Sequence, residues 1–364
     1  MKTNMQRYIE MQPQALRQVK ASVLGSESAI VAHWAGRPFR RVVLVGAGSS
    51  LNALDMARPF IQKALKVPVL ACSPAQLNWL DESLAEDTIV LAASQSGTSI
   101  NTLECIRALR KMGVFLVSIT QEMASYVANE SDAVLKLDSP EELVGPKTMG
   151  VVGTILTAQL HAMLLARQCG RMDAAECKAF LDAVDAVIAN YDGNIVAALE
   201  WQRVNAARFA AAKCYYWVAA GDRFGIAAES MLKLIETVRV PCLKLELDEL
   251  LHGPIDSINS ETTMVCLSTP WDGGDRMSNP CSLCDIYGGF GCLVSLGKSA
   301  SVCGSALTLK TAGMPELCAY ELLLPAQVLG AYIPPMLGID IEKPAEEKYQ
   351  KLKQGYGHLD MAQG

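Results

Sequence analysis

The chain has 364 residues, of which 51% are hydrophobic and 19% are charged, and its formal net charge at pH 7 is −6. This length accommodates two domains of ordinary size, and this composition excludes an intrinsically disordered chain. The acidic net charge argues against a nucleic-acid partner or a membrane surface, so an anionic ligand would need a local pocket of backbone amides and hydroxyls.

Apolar periodicity predicts the first elements in chain order. Residues 5–34 carry apolar positions at helical spacing and predict one or two amphipathic helices in an N-terminal segment of residues 1–34. From residue 35 to residue 170, short apolar runs alternate with helical patterns, which is typical of a doubly wound α/β domain. The predicted strands are residues 42–45, 67–71, 88–93, 115–120 and 134–137, and the predicted helices are residues 51–65, 74–84, 102–112 and 149–168.

The second half of the chain repeats this pattern after a helical connector at residues 171–212. A strand, the turn AGDRFG and a helix align there with the strand, the turn GAGSS and the helix of the first half, which indicates a duplicated α/β unit. We therefore predict a second tandem domain and a charged tail. The second domain covers residues 213–335, with strands at 214–220, 242–247, 263–268 and 292–296, a helix at 226–238 and a long loop at 270–290, and the tail covers residues 336–364.

The sequence shows neither an export pattern nor a membrane span. The N-terminal residues lack the apolar segment of a signal peptide, and no stretch reaches about 18 uninterrupted apolar residues. Twelve cysteines in such a chain indicate buried thiols in the reducing cytoplasm. Cys281 and Cys284 form the only CxxC pair, which alone is a poor zinc site, so we expect no metal.

Two hydroxyl-rich turns follow predicted strands, in the segments VVLVGAGSSL (residues 42–51) and VLAASQSGTS (residues 90–99). One hydroxyl of this kind is an ordinary helix N-cap, but a cluster of hydroxyls around Gly97 favours a phosphate pocket at two helix N-termini. The carboxyl ends of neighbouring parallel strands share one crevice, where ligands bind. The candidate hydroxyls are those of Ser49, Ser50, Ser94, Ser96, Thr98 and Ser99.

Three charged residues of the second half share one helix face. Glu229, Lys233 and Glu236 are spaced at i, i+4 and i+7, which fits an exposed salt-bridged stripe equally well as a packed site. The remainder of this helix is very apolar, so some of these charges are expected in a packed environment. Burial would raise the pKa of a carboxyl and suit it to proton transfer near neutral pH.

His252 precedes Gly253-Pro254 after a predicted strand. A histidine there is commonly a turn residue, but the carboxyl end of a strand is also where α/β active sites lie. Nucleotide-binding, hydrolase and zinc-protease motifs are missing: the sequence has no GxGxxG, GxxxxGK[ST], GxSxG or HExxH.

These segments together resemble the sugar isomerase (SIS) family. The resemblance is carried by GAGSS, SQSGTS, Lys147-Thr148 before a long apolar helix, ESMLKLIE and ELLHGP, and it covers about residues 35–345. It is closest to the isomerase half of glucosamine-6-phosphate synthase, which has two tandem SIS domains of flavodoxin-like fold. The pairing of Glu236 with His252 resembles the catalytic second domain of the ketose/aldose group.

The resemblance implies a role for each candidate residue. Glu236 would move a proton between C1 and C2, and His252 would open the sugar ring from the neighbouring subunit of a homodimer, which could pair further into a dimer of dimers. A lysine of the C-terminal tail would reach the sugar carbonyl; Lys348 is the nearest after Pro344, and Lys351 is the alternative. Phosphate contacts are implied for Ser49, Ser50, Ser94, Gln95, Ser96, Thr98 and Ser99, and pocket positions for Gly48, Gly97, Lys147, Glu229, Lys233 and Glu249.

The sequence departs from the synthase in two places. Met1 leads directly into the SIS region, so we expect no amination from glutamine on this chain. Residues 144–148 read VGPKT, which differs from the VAxTK pattern of the synthase. This segment is more similar to the GxKT turn of SIS deglycases, which split sugar–amino acid conjugates. The expected substrate is therefore a sugar 6-phosphate carrying an amine, attacked without metal or redox cofactor; a glucosamine 6-phosphate deaminase and a non-catalytic phosphosugar sensor are the alternatives.

Overall fold

The computed structural model describes residues 2–80, 87–271, 275–297 and 303–343. The chain divides into two compact units, which we name by their sheets. The first-sheet unit is built from Gln14–Glu142 and Met149–Phe180, and the second-sheet unit from Met1–Pro13, Leu143–Thr148 and Leu181–Glu342.

The first sheet has five parallel strands in the order β2-β1-β3-β4-β5. Its central strand β3 is buried along its whole length, as expected for a parallel strand with helices on both faces. The strands are β1 (Arg41–Gly46), β2 (Val69–Cys72), β3 (Thr88–Ala93), β4 (Leu116–Thr120) and β5 (Ala133–Lys136).

Helices precede and follow each of these strands. The structure confirms the helical character of residues 5–34, which form α1 and α2, and of residues 149–168, which form α7 with the predicted bounds. The helices up to this point are α1 (Asn4–Leu24), α2 (Ala29–Trp34), α3 (Ser49–Leu65), α4 (Pro74–Leu80), α5 (Ile100–Lys111), α6 (Tyr126–Asn129) and α7 (Met149–Gln168). The long helix α8 (Ala174–Ala211) forms the predicted connector.

The second sheet also has five parallel strands, in the order β10-β9-β8-β6-β7. Read from β7, this is the strand order of the first sheet, so the predicted duplication of one doubly wound α/β unit is confirmed. The strands are β6 (Cys214–Ala219), β7 (Cys242–Glu246), β8 (Thr262–Ser268), β9 (Phe290–Leu296) and β10 (Ser305–Leu309). The helices are α9 (Phe224–Thr237), α10 (Ser278–Ile286), α11 (Cys318–Leu322) and α12 (Leu324–Tyr332).

The prediction of one long loop at residues 270–290 is wrong. The segment contains α10, whose Cys281 and Cys284 are fully buried in the core beneath β8 and β9. These two thiols act as small apolar side chains, and burial raises the pKa of Cys284 to about 11. Among the described residues, no group of three His, Cys, Asp or Glu side chains is arranged to hold a metal ion.

Two described segments are long and apolar enough to cross a membrane by length and composition alone. They are Met149–Gln168 and Pro315–Leu337, and 94% of each apolar window is buried inside the protein. The buried helix of a globular core has this same composition, so the two segments are weak evidence for membrane insertion.

Candidate active site

The hydroxyl-rich turns of the first-sheet unit lie at the same edge of the sheet. β1 and β3 are neighbours, and Gly46 pairs with Ala93 at their carboxyl ends. α3 begins at Ser49 directly after the first turn, and α5 begins at Ile100 directly after the second. Two helix N-termini therefore face one crevice, each with partial positive charge that favours an anion.

The SQSGTS turn is held by its own hydroxyls. The Ser96 and Thr98 hydroxyl oxygens lie 2.8 Å apart, and Thr102 donates to the Ser99 hydroxyl over 3.1 Å. Ser94 and Thr98 are buried, whereas Ser96 is exposed. Of the four hydroxyl residues in this turn, only Ser96 and Ser99 are therefore open, wholly or in part, to solvent.

Gly97 is required where it stands. Its φ is +67°, and a Cβ atom there would lie 1.9 Å from the Ser125 hydroxyl oxygen. The turn therefore packs against α6 in a conformation open only to glycine.

The amide of Gln95 is fixed within the first-sheet unit. The Gln95 NH₂ group donates to the Gln121 side-chain oxygen over 3.3 Å. The Gln95 side-chain oxygen lies so close to Gly150 that a Cβ atom on Gly150 would be only 2.1 Å from it. The glycine at the start of α7 thus leaves the space that this amide occupies.

Glu142 is a site-proximal residue that sequence reasoning missed. Its two carboxylate oxygens accept the backbone N–H groups of Met149 and Gly150 over 3.0 and 2.7 Å. This carboxylate fills the N-terminus of α7, so that helix end is not available to a phosphate. The sequence signal was an acidic residue shortly before a long apolar helix.

The charged residues of the second-sheet unit come together on α9. The Lys233 ammonium lies 3.2 Å from Glu229 and 3.2 Å from Glu236, with side-chain exposures of 1%, 3% and 34% respectively. Of the two alternatives for this helix face, the structure shows the packed environment and not an exposed salt-bridged stripe. Gly330 of α12 lies over this cluster, because a Cβ atom there would be 3.4 Å from the Lys233 side chain.

Burial and neighbouring charge set the protonation of this cluster. Burial alone would lower the pKa of Lys233, but the carboxylates of Glu229 and Glu236 raise it above its ordinary value. Burial raises the pKa of Glu236. The positive charge of Lys233 lowers this pKa and the negative charge of Glu229 raises it, and the net result is a pKa above the ordinary value. A partly exposed carboxyl with a raised pKa beside a buried ammonium is suited to accept and return a proton.

Lys147 belongs to the same environment. It lies in Leu143–Thr148, a segment that packs with the second-sheet unit, and its charge lowers the pKa of Glu236. The structure thus places the charge of Lys147 near the cluster of Glu229, Lys233 and Glu236; that these residues line a substrate pocket stays a prediction.

His252 and Glu249 lie at the carboxyl end of β7, in the second-sheet unit. Glu249 begins the 3-10 turn Glu249–Leu251, and the His252 backbone N–H donates to the Glu249 carbonyl over 3.1 Å. The His252 side chain is exposed and makes no hydrogen bond to the part of this chain that the structure describes. Lys348 and Lys351 lie outside the described residues.

Comparison with known proteins agrees with this architecture. Residues 37–165 match the SIS domain model. The chain contains a SIS domain. Its homology extends to the isomerase region of the glutamine–fructose-6-phosphate aminotransferase of Symbiobacterium thermophilum, 24% identical over 349 residues, covering 92% of this chain and 56% of that protein. The chain spans about half the length of the curated relatives it matches.

Solved structures show the same fold. A candidate phosphosugar isomerase from Clostridium difficile 630 superposes with a TM-score of 0.86 at 21% identity, covering 98% of this chain and 99% of that one. The C-terminal domain of glucosamine-fructose-6-phosphate aminotransferase from Francisella tularensis superposes with a TM-score of 0.85 at 21% identity, covering 94% and 99%. Two tandem SIS-type α/β domains match the two sheets.

Replacing Lys233 by methionine is expected to destabilise the protein strongly. The Lys233→Met variant keeps the apolar stem but leaves buried carboxylate charge uncompensated, so the free energy of unfolding should fall by about 3–5 kcal/mol at pH 7. The loss should shrink as the pH falls through the raised pKa of Glu236, because protonation removes that charge. Urea denaturation at two pH values measures both effects; Lys213→Met, at an exposed position, is the control, and a loss below about 1 kcal/mol would contradict the burial argument.

Substitution of Gly97 tests the turn. The Gly97→Ala variant meets both an unfavourable φ and a clash with Ser125, so we expect it to lose about 2–4 kcal/mol of stability. Gly113→Ala is a matched control, because Gly113 has φ +76° with no atom within 4 Å of its Cβ position, and should cost about 1 kcal/mol. Equal losses in the two variants would show that the close packing on α6 is unimportant.

Proposed function

We propose that this protein is a phosphosugar isomerase-type deglycase, acting on a 6-phosphorylated sugar–amine conjugate of the Amadori type. The observation that carries the proposal is the partly exposed Glu236, with its raised pKa, beside the buried Lys233. The SIS domain of the first-sheet unit supplies the expectation of a phosphosugar ligand. The VGPKT sequence at residues 144–148 favours a deglycase over an aminotransferase.

Phosphate binding is assigned to the first-sheet unit. Backbone N–H groups at the starts of α3 and α5 and nearby hydroxyls would hold the phosphate oxygens, while Gly48 and Gly97 let the backbone approach closely. The proposed contacts are Ser49, Ser50, Gln95, Ser96 and Ser99, which are exposed or half-buried. Because Ser94 and Thr98 are buried, their part is to hold the turn more than to face the ligand.

Proton transfer is assigned to Glu236. In a ketoamine, the amine is on C1 and the carbonyl on C2; the Glu236 carboxylate removes a proton from C1 and an enaminol forms. Return of the proton to C2 gives an aldimine between C1 and the amine nitrogen. Water then adds to C1, the C–N bond breaks, and the products are a free amine and an aldose 6-phosphate.

The remaining roles also belong to this proposal. His252 would open the sugar ring, acting across the interface of a homodimer, and its exposed side chain is compatible with that role. Lys147, Glu229, Lys233 and Glu249 would line the pocket, and Lys348 would reach the carbonyl from the tail. We also place the enzyme in the cytoplasm, where the free thiols of this chain would stay reduced.

A substrate panel tests the activity itself. The purified protein is given fructoselysine 6-phosphate, glucoselysine 6-phosphate and glucosamine 6-phosphate separately, and hexose 6-phosphate, lysine and ammonia are measured. Lysine release from a conjugate is the expected result. Ammonia from glucosamine 6-phosphate alone would replace the deglycase by a deaminase, and no turnover together with a thermal shift on sugar phosphates would indicate a sensor.

Removal of the proposed base should abolish turnover. In Glu236→Gln, the amide cannot accept the proton from C1, so we expect kcat to fall by about 10²–10⁴-fold while the thermal shift with sugar phosphate persists. Glu261→Gln is the matched control, because Glu261 is an exposed carboxylate of the same unit. Full activity of Glu236→Gln would disprove its assignment as the base.

The pH profile should respond to Lys147. The base is active as carboxylate, so kcat should fall as the pH drops through the raised pKa of Glu236. Lys147→Met removes a charge that lowers this pKa, so the acid limb of kcat should move to higher pH. Lys213→Met should leave the limb in place, and an unmoved limb in Lys147→Met would argue against coupling between Lys147 and Glu236.

A further inference from the structure

Glu246, the last residue of β7, is surrounded by backbone donors. Its Oε1 accepts the N–H of Gly221 over 3.2 Å, and its Oε2 accepts the N–H groups of Asp248 over 2.6 Å and Glu249 over 3.2 Å. One carboxylate thus receives three backbone hydrogen bonds, an arrangement that commonly binds a free anion at a helix or turn N-terminus.

The donors belong to two different segments of the second-sheet unit. Gly221 begins the short 3-10 turn Gly221–Arg223, which leads into α9. Glu249 begins the 3-10 turn that ends at His252. The Glu246 carboxylate therefore connects the start of the helix that carries Glu236 to the segment that carries His252.

The duplication relates the turn after β6 to the turn after β1. Gly221 and Gly48 each stand two residues after the strand, with φ +54° and +56°. The first-sheet turn continues into the hydroxyls Ser49 and Ser50, whereas the second-sheet turn continues into Asp222 and Arg223. The second turn therefore keeps the glycine of the first turn but not its hydroxyls.

The partner strand differs in the same sense. In the second sheet, Ala219 at the end of β6 pairs with Glu246 at the end of β7. In the first sheet, Val45 pairs with Cys72, so the next residue of the partner strand, Ser73, holds the position that corresponds to Glu246. Ser73 is neutral and bonds within its own turn, where its N–H donates to the Gln76 side chain over 2.9 Å. The first unit thus has the neutral Ser73 beside its glycine turn, whereas the second unit has the Glu246 carboxylate at the corresponding position.

The ionised form of Glu246 is the one that the site favours. Partial burial would raise its pKa, but the hydrogen bonds from Gly221, Glu249 and Asp248 outweigh burial and lower it below the ordinary value. A glutamine here would retain a single acceptor oxygen and would turn an NH₂ group toward backbone donors. In the 3-10 turn Glu249–Leu251, the Leu250 side chain is buried in the core, with 1% exposure. The Glu246 carboxylate therefore has to hold only the N-terminal end of this turn.

We propose that Glu246 is a positioning residue: by accepting hydrogen bonds from both Gly221 and the start of the following 3-10 turn, its carboxylate holds the segment 247–253, and with it His252, in register with α9. The catalytic consequence rests on the proposed function, since it requires that His252 act on substrate across the homodimer interface. The positioning itself does not depend on that function.

Hydrogen–deuterium exchange on the substrate-free protein tests the positioning directly. In Glu246→Gln, the amides of Gly221, Asp248 and Glu249 should exchange about tenfold faster or more, with the change confined to residues 220–223 and 247–253. Glu261→Gln should exchange like the unchanged protein. Unaltered exchange in Glu246→Gln would overturn the proposal, and faster exchange over the whole unit would show a general structural role instead.

Kinetics test whether the effect passes through His252. Glu246→Gln should lower kcat about tenfold or more while KM for the sugar phosphate stays unchanged, because phosphate binding is assigned to the other unit. In a His252→Ala background, the same substitution should cause no further loss of kcat, whereas an additive loss would refute a route through His252. If the unchanged protein turns over none of the three sugar phosphates, the proposed function fails, and the exchange experiment alone decides the role of Glu246.

Discussion

The second-sheet unit depends on one buried charge. An ammonium as deeply buried as that of Lys233 is costly to desolvate, and it is retained because Glu229 and Glu236 both lie within 3.2 Å. One cation is thus shared by two carboxylates, and Glu236, the more exposed of them, also feels the charge of Lys147. Since Glu229 is buried with the lysine, Glu236 is the member of the trio whose side chain is partly open to solvent. The same ion cluster therefore bears on the stability of α9 and on the raised pKa of the carboxyl that we propose as the base.

The two sheets show how copies of one unit diverge in their side chains. Their strand orders are the same, and each has a glycine of positive φ two residues after its first strand. In the first copy the following residues are hydroxyls at a helix N-terminus, where we propose that a phosphate binds. In the second copy Glu246 accepts the N–H of the corresponding glycine, Gly221, and the buried ion cluster lies on the next helix, α9. Exchange of a few side chains on one backbone therefore gives the two copies different chemistry.

Much of the fold could be predicted from the sequence, because it depends on patterns within short stretches of the chain. The apolar run that forms α7, the strands that end in small residues and the duplication all follow from periodicity over short windows. α10 was missed because its Gly-, Pro- and Cys-containing surroundings look like a loop, and β10 was missed because its pairing with β9 is not local. The apolar residues of α9 indicated that some of its charges are packed, but they did not show which, and the burial of Lys233 became visible only in the structure. The contacts of Glu246 were not, because they depend on which backbone N–H groups the fold brings to one carboxylate.

Charge explains why the two surfaces are built so differently. The chain is acidic overall, so a phosphate would be repelled at long range and must be recognised by short-range donors. Hydroxyls and helix N-termini supply partial positive charge at the ligand without placing a full cation that would bind other anions. For the proposed base the opposite solution applies, because a carboxylate is stabilised by a full cation held at fixed distance, here the Lys233 ammonium 3.2 Å from Glu236. Burial of that ammonium is costly, and two carboxylates on the same packed helix offset the cost.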